Sequence, residues 1–417
     1  MKTDTFSHRP RAAALVLGIF CFAVGTAAVS SQPRRRHRPF PNADHTPAPA
    51  GSPLRGLNKT ELAAFEAGEE SFTEVETPET GLGPMFNARG CAECHVQGGV
   101  GGSSADLGVS RVTRIGRLLN GVFDPLTEQG GMLLQARSLR ELDPTFPYGG
   151  EVVPRDATLV SHRVTTPLFG AGLIEAIPPA EIVRRADPLG RNPDHIAGVP
   201  NMVRNPETGA LEVGRFGWKA HVSDLHVFAG DAYLNEVGVT SATFPDESLP
   251  QGRPLPPGYD QIEGIEADEE DVDGVAAFMR FLAPPPAKPL DGAARQGQQL
   301  FVSVGCAACH TPSMRTGNSP VAALRNQNVP LFSDLLIHDM GDQLADGMVM
   351  GQASGRQWRT APLWGLSKRK FLLHDGRATS IEQAILLHGG EGIPSVNRLR
   401  RLSVRDQNAL LAFLGSL

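Results

Sequence analysis

Two pentapeptides in this chain, Cys91-Ala-Glu-Cys94-His95 and Cys306-Ala-Ala-Cys309-His310, share the spacing Cys-x-x-Cys-His. Any fold of this sequence must hold each thiol pair and its histidine on one short turn. The pattern is the attachment signature of c-type haem. The thiols add across the two porphyrin vinyl groups, and the neighbouring histidine becomes an axial ligand of the iron. The two pairs use four of the five cysteines. A zinc site built from two Cys-x-x-Cys pairs, or a dithiol oxidoreductase, would draw on the same thiols. Both histidines stand at the one offset that haem attachment needs. The expectation is therefore two covalently bound haem c groups, at Cys91 and Cys94 and at Cys306 and Cys309, with His95 and His310 ligating iron.

The fifth cysteine, Cys21, falls within residues 1–30. This segment has a basic start (Lys2, Arg9, Arg11), an uncharged stretch over residues 12–29 and small residues around Ala28. That is the layout of a signal peptide. The uncharged stretch also reaches the lower length limit of a membrane-spanning helix, so an uncleaved anchor is the alternative. Covalent haem attachment takes place outside the cytoplasmic membrane, which implies export to the periplasm. No other segment reads as a membrane span. Residues 31–56, rich in Pro, Arg, His, Ser and Gly, read as a disordered tether. A net charge of −6 argues against a nucleic-acid partner.

The remainder repeats one plan twice. Each half opens with Gly-x-x-x-Phe (Gly68 and Phe72; Gly297 and Phe301) and then reaches its Cys-x-x-Cys-His. Each continues to an Arg-Thr-Pro-Leu-aromatic-Gly segment, Arg163 to Gly170 and Arg359 to Gly365. Each closes with an apolar-periodic helix bearing Ala-Phe, over residues 271–282 and 406–417. The proline-rich residues 283–289 form a stiff linker. Two domains follow, residues 57–286 and 290–417, the first enlarged by loops. With 46 Gly and 34 Pro, the fold class expected is mainly α: two cytochrome c-like haem domains with long ordered loops and little sheet. The acidic residues 266–273 read as a solvated helix start rather than a calcium site.

Function turns on the second axial position of each iron, since a haem with two strong protein ligands only transfers electrons. Thr379 and Ser380 cap a helix whose Ile381, Ala384, Ile385 and His388 share one face. A histidine at the buried end of that face can reach an iron, or can be a satisfied core histidine. Met340 is a further candidate ligand.

Several stretches together resemble the di-haem oxidoreductase family, related to the bacterial diheme cytochrome c peroxidases and MauG. They are residues 83–91, 169–177, 214–220, 332–341, 359–366 and 371–391, and the resemblance extends from about 57 to 417. It implies a distal ligand fourteen residues after His374, which is His388. It implies that residues 216–238 form the matching helix of the first half. Pairing Leu225 with Ile381 then sets Ala232 opposite His388, so the first iron has an open face unless His221 or His226 reaches it. It implies a carboxylate for peroxide chemistry, for which Glu175 is the candidate, its other reading being a helix-start carboxylate in a structural hydrogen bond; Arg163 would assist, its other role being a haem propionate contact. Trp218 and Trp364 lie between or beside the haems, or pack in the core. Calcium occurs between the haem domains of relatives. The partners expected are a small redox donor protein and a peroxide or other small oxidant. The expected activity is a periplasmic peroxidase-type oxidoreductase moving electrons through the carboxy-terminal haem to an open amino-terminal one. A non-enzymatic electron carrier with both irons six-coordinate is the alternative. The family's thiol-oxidoreductase label fits poorly, because a thioether-bonded cysteine has no thiolate to offer.

Overall fold

A spacing of four residues puts two side chains on one helix face, and the repeated Gly-x-x-x-Phe uses that face for packing. The computed structural model describes residues 48–417 except 260, 261 and 263. Nine α-helices lie among the described residues. They are α1 (Lys59–Thr73), α2 (Ala171–Glu175), α3 (Pro179–Val183), α4 (Leu225–Ala232), α5 (Glu269–Phe281), α6 (Gly292–Ser303), α7 (Ile381–Leu386), α8 (Ile393–Arg400) and α9 (Val404–Leu414).

Helix α1 crosses α5, and α6 crosses α9. A Cβ at Gly68 would stand 2.0 Å from the Gly274 carbonyl oxygen, and one at Gly297 1.9 Å from that of Ala409. Only glycine allows the backbones this close. Beside each crossing the phenylalanines meet: Phe72 and Phe278 at 4.6 Å between ring centroids, Phe301 and Phe413 at 5.4 Å. The motif is thus a helix-crossing device used twice, once ahead of each Cys-x-x-Cys-His. The starts are capped as expected. Asn58 and Glu61 form a capping box on α1, and Asp291 caps α6. The acidic run is the start of α5, where Asp268 accepts from the Glu270 and Asp271 amides.

Helix takes 32% of the chain and strand 14%, so the fold is mainly α. The largest sheet has four antiparallel strands around Arg111–Leu119, which pairs with Val122–Asp124, Leu133–Leu134 and Leu159–Val164. It lies in the loop-rich part of the first half. The other sheets are two-stranded. No helix among the described residues is long and apolar enough to cross a membrane.

The expected signal peptide, Cys21 and the tether up to residue 47 lie outside the described residues. The end of that tether differs from expectation. Residues 48–56 are not a free coil: the Leu54 amide donates to the Phe281 carbonyl at 2.7 Å, and the Ala283 amide to Ser52 at 3.0 Å. Leu54 is buried. Its apolar side chain gains a core position, and its backbone gains partners at the end of α5. The proline-rich segment is also packed. Pro284 and Pro285 are buried, and the Lys288 amide donates to the Ser416 carbonyl at 2.7 Å. The two Arg-Thr-Pro segments face each other, with the Trp364 ring set 2.6 Å from where a Cβ on Gly170 would be. Trp364 belongs to the main apolar core.

Candidate haem sites

In the second half, Cys306 and Cys309 sit on a single helical turn, with His310 next to them. A cavity of about 220 Å³ opens over them. His310, Met340, Ile381, Ala384, Ile385 and His388 all line it. Ser380 caps α7 by accepting from the Gln383 amide. The helix face predicted from spacing is therefore the one that meets the cavity. His310 and His388 face each other across it, with ring centroids 6.5 Å apart. A metal–imidazole bond is about 2.0 Å, so two such bonds plus the ring radii span about 6 Å. The pair fits an iron between them. The far nitrogens are fixed as well: His310 Nδ1 lies 2.9 Å from the Phe332 carbonyl oxygen, and His388 Nδ1 2.7 Å from that of Ala384. Such contacts set the tautomer and leave Nε2 free to ligate. Burial pushes His310 down to about 4 and lowers His388, so both are neutral, the state that coordinates metal.

In the first half, Cys91, Cys94 and His95 border a cavity of about 150 Å³. His95 Nδ1 lies 3.1 Å from the Gly102 carbonyl oxygen, and burial pushes its pKa down to about 4. His95 therefore matches His310 in state and in support. Helix α4 runs into a wider π-helical turn over Tyr233–Val237. Asp231, Ala232 and Glu236 from this stretch line the cavity. Ala232 is at the wall, and its methyl offers no ligand atom. His221 also lines the cavity. His226 is turned away: its Nδ1 is 2.6 Å from Glu207, and its Nε2 faces Glu269 and Asp273 on α5. Burial opposes its charge, but those three carboxylates outweigh burial and raise its pKa.

The expected acid–base carboxylate is elsewhere. Glu175 ends α2, outside the residues that line either cavity. Its carboxylate takes Arg280 Nε at 2.7 Å and the Leu225 amide at 2.9 Å. It ties α2, α4 and α5 together. Arg163 does line the amino-terminal cavity, but one guanidinium nitrogen is committed to Asp346 at 2.6 Å. Asp346 also pairs with Lys219 at 3.2 Å, and both cations lie over the Trp358 ring. Trp218 lines both cavities, its Nε1 donating to the Val164 carbonyl at 2.8 Å.

The sequence reading missed Asp231, Glu236 and Arg114, which line the amino-terminal cavity. An available signal was the offset of four from Ala232 to Glu236. Burial raises Asp231 and Glu236 above the usual carboxyl range. His338, one of the histidines outside the two Cys-x-x-Cys-His turns, lies within metal-ligand distance of Cys309 and Asp334. Both its ring nitrogens are already engaged, Nε2 by Asp334 at 3.0 Å and Nδ1 by Glu391 at 2.8 Å. Burial opposes charge here, but the hydrogen bonds to both carboxylates prevail and lift the pKa well above its ordinary value. An imidazolium donates from both nitrogens and does not bind metal.

Burial also pushes the Cys91, Cys94 and Cys306 thiols up to about 12, which removes the thiolate that dithiol exchange needs. Each thiol pair thus sits with a neutral, carbonyl-anchored histidine at the edge of a cavity. A sequence profile described as "Di-haem oxidoreductase, putative peroxidase" matches residues 151–417, more than half of the chain. The chain belongs to the di-haem oxidoreductase family. Membership implies two haems. No curated protein matches this di-haem oxidoreductase. Among solved structures, hydrazine synthase from Kuenenia stuttgartiensis is 14% identical, covering 93% of this chain and 100% of that one, with a TM-score of 0.38. A MauG-like protein associated with microbial copper homeostasis is 13% identical, covering 90% and 93%, with a TM-score of 0.38. The diheme peroxidase BthA from Burkholderia thailandensis is 13% identical, covering 90% and 93%, with a TM-score of 0.39.

Proposed function

We propose that this protein is an exported, periplasmic di-haem c-type oxidoreductase of the peroxidase kind, built as two cytochrome c-like haem domains. Cys91 and Cys94 hold one haem and Cys306 and Cys309 the other. His95 ligates the first iron, and His310 with His388 ligates the second. When bound, the haems supply one-electron redox chemistry and, at an iron with a free face, peroxide reduction. The closed carboxy-terminal site serves a small redox donor protein, and the open amino-terminal site meets a hydroperoxide. Trp218, at the wall of both cavities, is placed to assist exchange between them.

One observation carries this reading. Each Cys-x-x-Cys-His has a neutral histidine clamped by a backbone carbonyl, but only the second faces another clamped histidine, His388 at 6.5 Å. In the cavity of His95, α4 contributes Ala232, which has no ligand atom.

The test is a spectroscopic titration of the mature protein. The expected result is one low-spin and one high-spin ferric haem by EPR, with carbon monoxide binding to half of the ferrous iron. Uptake by neither iron would mean a pure electron carrier.

A further inference from the structure

We propose that His221 is the group that moves the proton when a hydroperoxide is reduced in the amino-terminal cavity, an inference that rests on that cavity being the open haem site. Three observations place it there.

The imidazole lines the same cavity as Cys94 and His95. Its position is built by shape. Gly217 has a φ of +72°, and a Cβ on it would lie 2.2 Å from His221 Cε1 and 2.5 Å from Nδ1. Glycine both makes the turn and leaves room for the ring. The turn itself is pinned from the other half of the chain. Arg359 donates through Nε to the Gly217 carbonyl at 2.9 Å, and through its backbone amide to Trp218 at 2.9 Å.

The third observation separates His221 from the ligands. His95, His310 and His388 each have Nδ1 fixed by a carbonyl oxygen. His221 Nδ1 is buried with no partner among the described residues. A histidine that binds metal almost always has its far nitrogen engaged. His221 therefore stands in the cavity without the support of a ligand.

Two other titratable groups share the cavity. Asp231 accepts from Asn235 at 3.0 Å, and Glu236 from Asn87 at 3.0 Å. Burial raises both, which favours their protonated forms. His221 goes the other way. Burial, then Arg114, Arg163, Arg359 and Lys219, hold its pKa well below the ordinary 6.5. The cavity thus sets a neutral base beside two carboxyls whose affinity for protons burial raises, the division that acid–base catalysis needs.

A hydroperoxide ROOH, two electrons and two protons give ROH and water. His221 takes the O–H proton of the hydroperoxide and returns it to the RO oxygen as the O–O bond breaks, so ROH leaves. With two electrons from the donor protein and two protons supplied through Asp231 and Glu236, the second peroxide oxygen would leave as water.

The test uses the mature holoprotein with His221→Gln and, separately, Gly217→Ala, whose new methyl pushes the ring aside. The probe is cyanide, which must lose its proton to bind. In both variants the haem count and the high-spin signal should be unchanged. Cyanide association should slow by about a hundredfold, as loss of a positioned base does. In the wild type the rate should hold as pH falls through 6.5, because the base form persists below it. An association rate in folded His221→Gln within about threefold of wild type overturns the proposal. So does a wild-type low-spin signal that turns high-spin on substitution, which would make His221 a ligand. A wild-type protein that binds no cyanide overturns the open-site reading itself, and this step with it.

Discussion

The two cavities are built from one plan and differ in what faces the cysteine turn. Both begin with a glycine-spaced helix crossing, a buried Phe–Phe contact and a carbonyl-clamped histidine. The second adds His388 at the end of α7, clamped in turn by the Ala384 carbonyl. In the first, Ala232 lines the cavity and α4 runs into a π-helical turn bearing Glu236. Extra turns of this type concentrate at functional sites. It also adds His221 on a turn held by Arg359. The two cavities thus share a scaffold and differ in the side chains that line them, His388 in the second and Ala232, Glu236 and His221 in the first.

The largest test removes one side of the comparison. Replacing Cys306 and Cys309 by alanine should cut the intact-mass haem content from two to one and destabilise the second half. Its cavity of about 220 Å³ would lack the group that fills it. The next test swaps the difference. His388→Ala should open the second site and raise carbon monoxide uptake from one to two per chain, whereas Ala232→His should close the first and abolish uptake. Unchanged uptake in Ala232→His would falsify the correspondence between α4 and α7.

A smaller effect probes the shared scaffold. Gly68→Ala and Gly297→Ala each drive a methyl into a carbonyl oxygen, at 2.0 and 1.9 Å. Each should cost about 1–3 kcal/mol in thermal or denaturant unfolding, by overpacking. Equal costs would support equivalence of the two crossings. The smallest effect concerns His338, found only in the second half. Its folded pKa lies above the unfolded one, so its contribution to stability is fully present below about 6.5 and fades as pH rises through the folded value. His338→Gln should flatten the alkaline loss of stability, read as the unfolding midpoint between pH 6 and 9.

Much of the site was legible because it depends on local spacing. The Cys-x-x-Cys-His turns, the Gly-x-x-x-Phe faces, the Ser380 cap and the stripe ending at His388 all lie within one or two helical turns. What misled the reading lies in distant contacts. Glu175 stayed open between a catalytic and a structural role because its partner Arg280 is 105 residues away. Arg163 looked free because Asp346 is 183 residues away. Residues 48–56 have a disordered composition, yet Leu54 finds a core position at the end of α5.

The sequence alone located the two Cys-x-x-Cys-His turns, the histidine each carries and the helix face that ends at His388. Such features are set by backbone periodicity and need no knowledge of the rest of the chain. Tertiary structure decided which ring nitrogens are clamped, which carboxylates are spent on ion pairs and which charges crowd His221. Those outcomes depend on burial and on partners brought together from opposite halves, and no local pattern encodes them.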